Sequence, residues 1–404
     1  MINFNLQNKN IFFFKILIFF FILRFLISNI FGIELNGANF GFHSLHYDLL
    51  RYDLIQSIIY QHSQPFLWSL YLGSLIKITN GNIALVEFFF LFFNSLLSFG
   101  IIYYAFLISK YFNFSTNQSF CLLIFLALNP SIFFYENLFS YHQLTAFLFT
   151  QACYFIFILT HSKKNKYEML IYLNITLLCF VWSAFQPLLI IVIFFIIRFF
   201  LKIRYRKNLF IFLSILLLSF TPHIKNKVIF GSFSSSSWNG HNFSTVFNPD
   251  WLEFCGHQLD KQIFYKKKYE EKYKKTFNHP SLVGENSLFN NIGLVYKSPK
   301  CFTLTLKKII NEPKTYISTR FKAILAAHGK FAFDFTPKPK GWKISFYDSF
   351  LEKKNNKFYR QLTLLFLNVI IYLTMIYMIF FSKYNKNVKL SLFIIAALYS
   401  YLFI

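Results

Sequence analysis

The chain has 404 residues, of which 55% are hydrophobic and only 14% are charged. Soluble domains carry about 25% charged residues, so this composition excludes an ordinary soluble protein and predicts a chain embedded in a lipid bilayer. The net charge of +25 would indicate a nucleic-acid partner in a soluble protein. Here the excess of Lys, Asn, Phe and Ile is typical of AT-rich coding, and we expect no nucleic-acid partner.

Nine stretches approach the roughly 20 apolar residues that a membrane-spanning helix needs. The first, 11–31, is too long, and its Arg24 too central, for a cleavable signal peptide. The stretch 65–78 is too short to span alone and is expected to be a re-entrant or interfacial helix, or else a tenth span. The sequence therefore predicts an all-α polytopic membrane protein with about nine transmembrane helices. The remaining predicted spans are 83–108, 119–135, 141–160, 169–185, 187–201, 209–220, 362–381 and 388–404.

The basic residues of the short loops fall in alternate loops, and the positive-inside rule makes those loops cytoplasmic. The N-terminus is then cytoplasmic, in what we expect to be a bacterial inner or plasma membrane, and the segment 222–360 is extracytoplasmic. The residues that set this orientation are Lys110, then Lys163, Lys164 and Lys166, then Lys202, Arg204, Arg206 and Lys207, and finally Lys383, Lys386 and Lys389.

Three parts follow from this topology: a transmembrane module over 1–221, the extracytoplasmic segment 222–360, and a C-terminal helix pair over 361–404. The segment 222–360 holds 24 basic and 10 acidic residues, a net charge of +14. It starts with a Ser-rich loop over 231–242, and helices are predicted over 265–273 and over 299–327, the second broken at Pro313. This segment also contains Cys255 and Cys301. Either the two cysteines form a disulfide, or both occur in the segment by chance and do not pair.

Only six acidic residues lie outside that segment, and three of them fall in the first outer loop, 32–64. A carboxylate near the membrane is costly unless it is solvated or used, so this clustering favours a functional role for the loop. Glu87 has no clear role, and Glu168 is expected to be a solvated partner of the cytoplasmic lysines. The six are Glu34, Asp48, Asp53, Glu87, Glu136 and Glu168.

Leu50, Leu54 and Ile58 recur every four residues, which predicts an amphipathic helix at the membrane interface. On one helix Asp48 and Asp53 diverge by roughly 140°, so at most one of them serves chemistry. For Asp48 the alternatives to a chemical role are an interfacial helix cap or an ion pair with Arg51.

His43, His46 and Asp48 have the spacing of a facial metal site, but no further ligand is evident and no metal or other cofactor is expected. The sequence also lacks HExxH, GxSxG, a glycine-rich phosphate loop and a DxD pair. The missing DxD pair argues against a cytosolic, metal-dependent transferase of nucleotide sugars.

Three motifs in order along the first 250 residues resemble glycosyltransferase family 39 of the GT-C superfamily. The first is Asp48 in the loop after the first span, followed by the turn His62-Ser63-Gln64-Pro65 before an apolar helix. The second is Asn129-Pro130 leading to Glu136. The third contains Pro222, Lys225, Asn226, Phe230, Gly231 and Phe233, followed by Ser236, Gly240 and Asn242. The chain departs from the family pattern at Leu49, Phe66 and Lys225, and has His142 near the place of a later Asp.

The resemblance implies an inverting transferase that moves a sugar from a polyprenyl-phosphate donor to a hydroxyl of a glycan, lipid or protein on the extracytoplasmic face. Asp48 is then the general base. The residues that the resemblance and the charge pattern assign to the substrate and the lipid phosphate are Arg51, His62, Gln64, Glu136, His142, Lys225 and Asn226.

Two alternatives remain open at this stage. The first is a membrane transporter or flippase, against which the near absence of charge inside the predicted spans argues. The second is a non-catalytic relative of the family, which the departures at Leu49 and Phe66 leave possible. For Glu136 the alternative to a role in the site is a solvated residue that closes the third span.

Overall fold

The computed structural model describes residues 15–26, 44–128, 132, 135–201, 206–244, 279–283, 290–328, 376–380 and 384–401. Within these ranges 80% of the residues are helical and no strand is present, which confirms the all-α prediction for this part of the chain. The helices are 15–26, Tyr47–Tyr52, Leu54–Ile59, Leu67–Ile78, Ile83–Ser109, Thr116–Ala127, His142–Ser162, Asn165–Val181, Leu188–Leu201, Arg206–Ser219, Thr221–Phe230, Asn239–Ser244, Ile292–Asn311, Pro313–His328 and Lys386–Tyr401.

Among the described residues, three helical segments are long and apolar enough to cross a membrane, which makes the chain a helical membrane protein. They are Ile83–Phe112, His142–Ser162 and Leu209–Phe230, with mean hydropathies of 2.0, 1.5 and 1.5. The first two lie at the predicted spans 83–108 and 141–160. The third continues ten residues past the predicted end at 220, because Pro222 falls in the first turn of the next helix, where a missing N–H costs nothing.

The other predicted spans correspond to shorter helices or are only partly described. Leu67–Ile78, Asn117–Ala127 and Leu188–Phe199 are apolar helices below spanning length. The predicted span 169–185 ends at Val181, because Trp182 has an extended backbone. Of 11–31 only 15–26 is described, and of 362–381 only 376–380.

The helix His142–Ser162 is the centre of the bundle. It packs against Ile83–Ser109, Asn165–Val181 and Lys386–Tyr401. Its contact with Ile83–Ser109 is partly polar: the Gln143 side-chain amide donates to Ser98 at 2.6 Å, and the Gln151 amide donates to the Tyr104 hydroxyl at 2.6 Å. Polar bonds of this kind hold helices together where the hydrophobic effect between them is weak.

The sequence predicted a solvated Glu168 and left the same possibility open for Glu136. Both carboxylates are instead buried in ion pairs. Glu136 lies 3.2 Å from Arg24 Nε and accepts a hydrogen bond from Ser95. Glu168 is 1% exposed and lies 2.6 Å from Arg198 Nη2. The solvated interpretation is therefore wrong for both residues, because each carboxylate has a basic partner on another helix.

The first outer loop contains two short helices, so the prediction of one continuous amphipathic helix is wrong. Tyr47–Tyr52 and Leu54–Ile59 are separated at Asp53, whose backbone leaves the helical region (φ −138°, ψ 54°). The Asp53 carboxylate lies 2.7 Å from Nε2 of His279, in the segment 222–360. The predicted apolar face is nevertheless buried at Leu50 and Leu54, and Leu54 packs onto the bare backbone of Gly73.

In the segment 222–360, the predicted break at Pro313 is confirmed, since one helix ends at Asn311 and the next starts at Pro313. The predicted loop 231–242 is shorter than expected, because a helix begins at Asn239. Cys301 is buried and disulfide-bonded. Cys255 and the predicted helix 265–273 lie outside the described residues.

Candidate functional site

The sequence-predicted site residues lie in three places. Asp48 and Arg51 belong to the helix Tyr47–Tyr52. Glu136 and His142 flank the start of the central helix. The remaining four, His62, Gln64, Lys225 and Asn226, belong to a buried polar region that we call the His62 junction. It comprises residues 58–64, 183–186, 223–226, 234–237 and Asn290.

Asp48 is accessible to solvent and to a substrate. Its side chain is 56% exposed, and the imidazole Nδ1 of His46 lies 3.5 Å from its carboxylate. His46 also caps this helix by accepting from the Asp48 N–H at 3.4 Å. Among the described residues no ion pair joins Asp48 to Arg51, so the proposed pairing of these two residues is wrong. Asp48 is thus an exposed carboxylate with an imidazole beside it.

Arg51 instead packs against aromatic rings and a turn. Its guanidinium carbon lies 5.1 Å from the centre of the Tyr52 ring and 6.0 Å from that of Tyr47. The Tyr47 hydroxyl donates to the carbonyl of Gly81 at 2.8 Å. Gly81 has φ +74°, a left-handed backbone conformation that favours glycine, and a Cβ there would lie about 2.5 Å from the guanidinium.

Asn290 fixes the backbone of the His62 junction. Its side-chain oxygen accepts from the N–H groups of His62 and Ser63 at 2.8 and 3.0 Å. Its side-chain nitrogen donates to the carbonyls of Tyr60 and Ser281, both at 3.0 Å. One amide thus uses its donors and its acceptor to hold the turn that precedes Pro65.

The loop after Phe230 binds the other side of the same turn. The N–H of Ser237 donates to the His62 carbonyl at 2.8 Å, and its hydroxyl lies 2.8 Å from His62 Nδ1. The Ser236 hydroxyl donates to the carbonyl of Ser63. The Phe230 ring meets the imidazole edge to face at 5.0 Å, so the imidazole is held by contacts on both sides.

Lys225 brings its side-chain amine into the junction. Its ammonium group donates to the carbonyl of Gln61 and, at 3.3 Å, to that of Ile58. The Asn226 amide donates to the carbonyl of Ser234 at 2.7 Å. The helix Thr221–Phe230 therefore binds both the turn before Pro65 and the serine loop that follows it.

A second chain of hydrogen bonds runs through Gln64 and Gln186. Gln64 accepts from the Ser183 hydroxyl at 3.1 Å. The Gln186 amide donates to Ser235 at 3.0 Å, and its oxygen lies 2.9 Å from Nε2 of His223. The turn 182–186, which ends the helix Asn165–Val181, thereby joins the junction.

The junction contains buried polar atoms that no described protein group satisfies. Burial, reinforced by the charge of Lys225, lowers the pKa of His62 to about 3, so the ring is neutral near pH 7. Buried polar atoms normally have partners, and a group of orphans indicates a place for a polar ligand or ordered water. The unpartnered atoms here are Gln61 Oε1, His62 Nε2, His223 Nδ1 and Asn226 Oδ1.

His142 lies beside the junction, whereas Glu136 is paired with a residue outside it. Nδ1 of His142 is 2.8 Å from the Ser140 hydroxyl, and its ring contacts those of Tyr141 and Trp182 at 4.9 and 6.2 Å. Trp182 immediately precedes Ser183, the partner of Gln64. His142 is therefore a neighbour of the junction, while the carboxylate of Glu136 is paired with Arg24.

Sequence reasoning missed three of the residues that build the junction: Asn290, Ser237 and Gln186. Asn290 acts 228 residues away from His62, and no spacing pattern connects them. Ser237 lies next to Ser236, which the third motif already included, so the serine run was the one usable signal. No group of three metal-ligating side chains occurs in the described ranges; His43 lies outside them.

No protein-family model, no curated protein and no solved structure matches this chain. Membership of glycosyltransferase family 39 therefore stays a prediction, and its support is the resemblance of the three sequence motifs.

Proposed function

We propose that the protein is an integral-membrane glycosyltransferase. It takes a sugar from a polyprenyl-phosphate donor and transfers it to a hydroxyl group of a glycan, lipid or protein on the extracytoplasmic face. The proposal includes the nine-span arrangement, with the first outer loop and the segment 222–360 on the same side of the membrane.

The observation that carries this proposal is the meeting of two separate motifs at the His62 junction. The turn His62–Pro65 and the stretch that starts at Pro222 are about 160 residues apart in the sequence, and Lys225 donates to the carbonyl of Gln61 across that gap. The Lys225 amine and the unpartnered Nε2 of His62 beside one turn suit an anionic group such as a phosphate, whereas the orphaned amide oxygens of Gln61 and Asn226 can only accept, as from sugar hydroxyls.

In the proposed reaction the Asp48 carboxylate removes the proton from the acceptor hydroxyl as its oxygen attacks the anomeric carbon. The bond between that carbon and the phosphate oxygen breaks, and its electron pair leaves with the polyprenyl phosphate. Lys225 and the neutral His62 would stabilise the departing phosphate by donating hydrogen bonds. The exposure of Asp48 fits this role, because an acceptor can approach it from solvent.

The Lys225 contribution can be tested with purified protein in liposomes that contain a radiolabelled polyprenyl-phosphate sugar and a hydroxyl acceptor. A charge-assisted hydrogen bond contributes about 1.5–3 kcal/mol, so Lys225→Gln should raise the KM for the donor about tenfold or more. Lys225→Arg should restore most of the loss. Lys227→Gln is the matched control, because that side chain is exposed and, among the described residues, donates only to the carbonyl of Gly231.

An equal KM for Lys225→Gln and Lys227→Gln would contradict the proposal that the His62 junction binds the donor phosphate. Absence of transfer by the unaltered protein with any polyprenyl-phosphate sugar would contradict the proposal itself.

A transporter or flippase is the second candidate, and the buried ion pairs favour it. Charges inside membrane helices often mark a substrate or ion pathway, and Arg24 and Arg198, which lie in predicted spans, each pair with a buried carboxylate. The same liposomes separate the two functions: a transporter moves the labelled lipid or sugar between leaflets without breaking its phosphate bond, whereas the transferase releases polyprenyl phosphate.

A further inference from the structure

The helix Ile292–Asn311 presents an apolar stripe that is exposed among the described residues, apart from a contact of the Phe243 ring with the Phe302 ring at 5.2 Å. Its inner face is closed, with Leu294, Cys301 and Thr305 fully buried. On the outer side Phe302, Leu306 and Ile310 recur every four residues and are 45%, 40% and 76% exposed. At 100° per residue these three positions form one line along the helix.

A column of lysines runs beside the apolar stripe. Lys300 and Lys307 are exposed and are seven residues apart, which places them on one line of the helix, about 100° from Leu306. An amphipathic helix with an apolar line and an adjacent basic line matches the boundary between acyl chains and anionic head groups. A protein partner would need an acidic groove of the same shape.

The position of the helix in the fold points to the same surface. Its first turns, at Ile292 and Val295, pack in one cluster with Phe230, the last residue of the candidate span Leu209–Phe230. The helix therefore starts where a membrane-crossing helix ends.

We propose that Ile292–Asn311 is an interfacial helix that binds an anionic bilayer surface. Phe302, Leu306 and Ile310 insert among the upper acyl chains, and Lys300 and Lys307 bind lipid phosphates. This inference does not depend on the proposed transferase activity.

The test uses the full-length protein in nanodiscs made of zwitterionic lipid alone or mixed with an anionic phosphatidylglycerol. Cys121, Cys153 and Cys179 are replaced, and the disulfide of Cys301 is kept. A spin label is placed by Phe302→Cys, Leu306→Cys or Ile310→Cys, with Asn311→Cys as the control, since Asn311 is exposed and about 140° from Leu306 on the helix. Collisions with oxygen report lipid, and collisions with a water-soluble nickel chelate report solvent.

The proposal predicts that labels at 302, 306 and 310 collide mainly with oxygen and lie about 5–10 Å below the head groups, whereas the label at 311 collides mainly with nickel. Nickel-rich signals at all four positions would overturn it, because the stripe would then lie in water. Low collision rates with both reagents at 302, 306 and 310 would also overturn it, because a protein would then cover the stripe.

The lysine column has its own test in the same nanodiscs. Lys300→Gln with Lys307→Gln should make the label at 306 shallower in anionic discs and leave its depth unchanged in zwitterionic ones. The charge-matched control is Lys77→Gln with Lys386→Gln, two exposed lysines on other helices. An equal change in depth for the two double variants would refute binding of anionic lipid by the lysine column.

Discussion

His62 is held by three different parts of the chain. Asn290 and Ser237 bind its backbone N–H and carbonyl, and Ser237 also meets its ring. Removing Asn290 would leave two buried N–H groups without acceptors, and each such group costs about 1–3 kcal/mol. The position of this imidazole is therefore set by the tertiary fold rather than by the turn that carries it.

The depressed pKa of His62 predicts acid sensitivity. The unfolded chain protonates this residue below pH 6.5, whereas the folded chain does so only near pH 3. The free energy of unfolding should therefore fall as the pH drops from about 6.5 towards 3, by at most about 1.4 kcal/mol per pH unit from this residue. Above about pH 6.5 the titration of His62 should cause no further change in the free energy of unfolding.

Thermal unfolding in detergent between pH 4.5 and 7.5 measures this slope. His62→Gln should show a shallower loss of Tm on acidification than the unaltered protein, while His46→Gln, which changes a partly exposed imidazole, should keep the original slope. Identical slopes for all three proteins would contradict the assignment of a buried, neutral His62.

At the scale of the elements, the ion pair of Arg24 with Glu136 joins the helix 15–26 to the bundle in addition to the apolar packing of Ile16 and Phe20. Removing one partner of a buried pair leaves an uncompensated charge and costs about 3–5 kcal/mol. Arg24→Met alone and Glu136→Gln alone should each lower the Tm in detergent, and the double variant should be more stable than the sum of the two losses predicts. Strictly additive losses would show that the two side chains do not interact.

Hydropathy predicted the long helices because length and apolar content suffice to place them, as Ile83–Ser109 and His142–Ser162 illustrate. It missed the break at Asp53, whose carboxylate binds His279 226 residues away. It also missed the burial of Glu168, because the partner Arg198 lies on another helix. Hydrophobic periodicity and composition can be read from a local stretch of sequence. The burial of a charged side chain cannot, because it depends on a partner that is distant in the sequence.

In the candidate site, too, the residues in local motifs could be predicted, whereas the long-range contacts could not. His62 and Lys225 were chosen from separate motifs, and the structure joins their elements in one junction. Asp48 stands apart, with no hydrogen bond or ion pair to that junction among the described residues. Asn290 could not be predicted, since it acts through one amide in a region without any motif.

At the scale of the whole molecule, the extracytoplasmic location of the segment 222–360 stays a prediction, and the disulfide of Cys301 is a feature that such a location would permit, because disulfides persist in oxidising compartments. His279 and Asn290 of this segment bind the first outer loop directly. The two parts that the proposed reaction requires on one side of the membrane are thus in contact.

The central claim is that Asp48 is the general base of a sugar transfer from a polyprenyl-phosphate donor. The most direct measurement compares kcat for the unaltered protein, Asp48→Asn and Asp53→Asn in liposomes with saturating donor and acceptor. Loss of a general base should lower kcat by about 10²–10⁴-fold in Asp48→Asn, whereas Asp53→Asn, which can still hydrogen-bond to His279, should stay within a few-fold of the unaltered protein. Full activity of Asp48→Asn at an unchanged level of folded protein would contradict the claim.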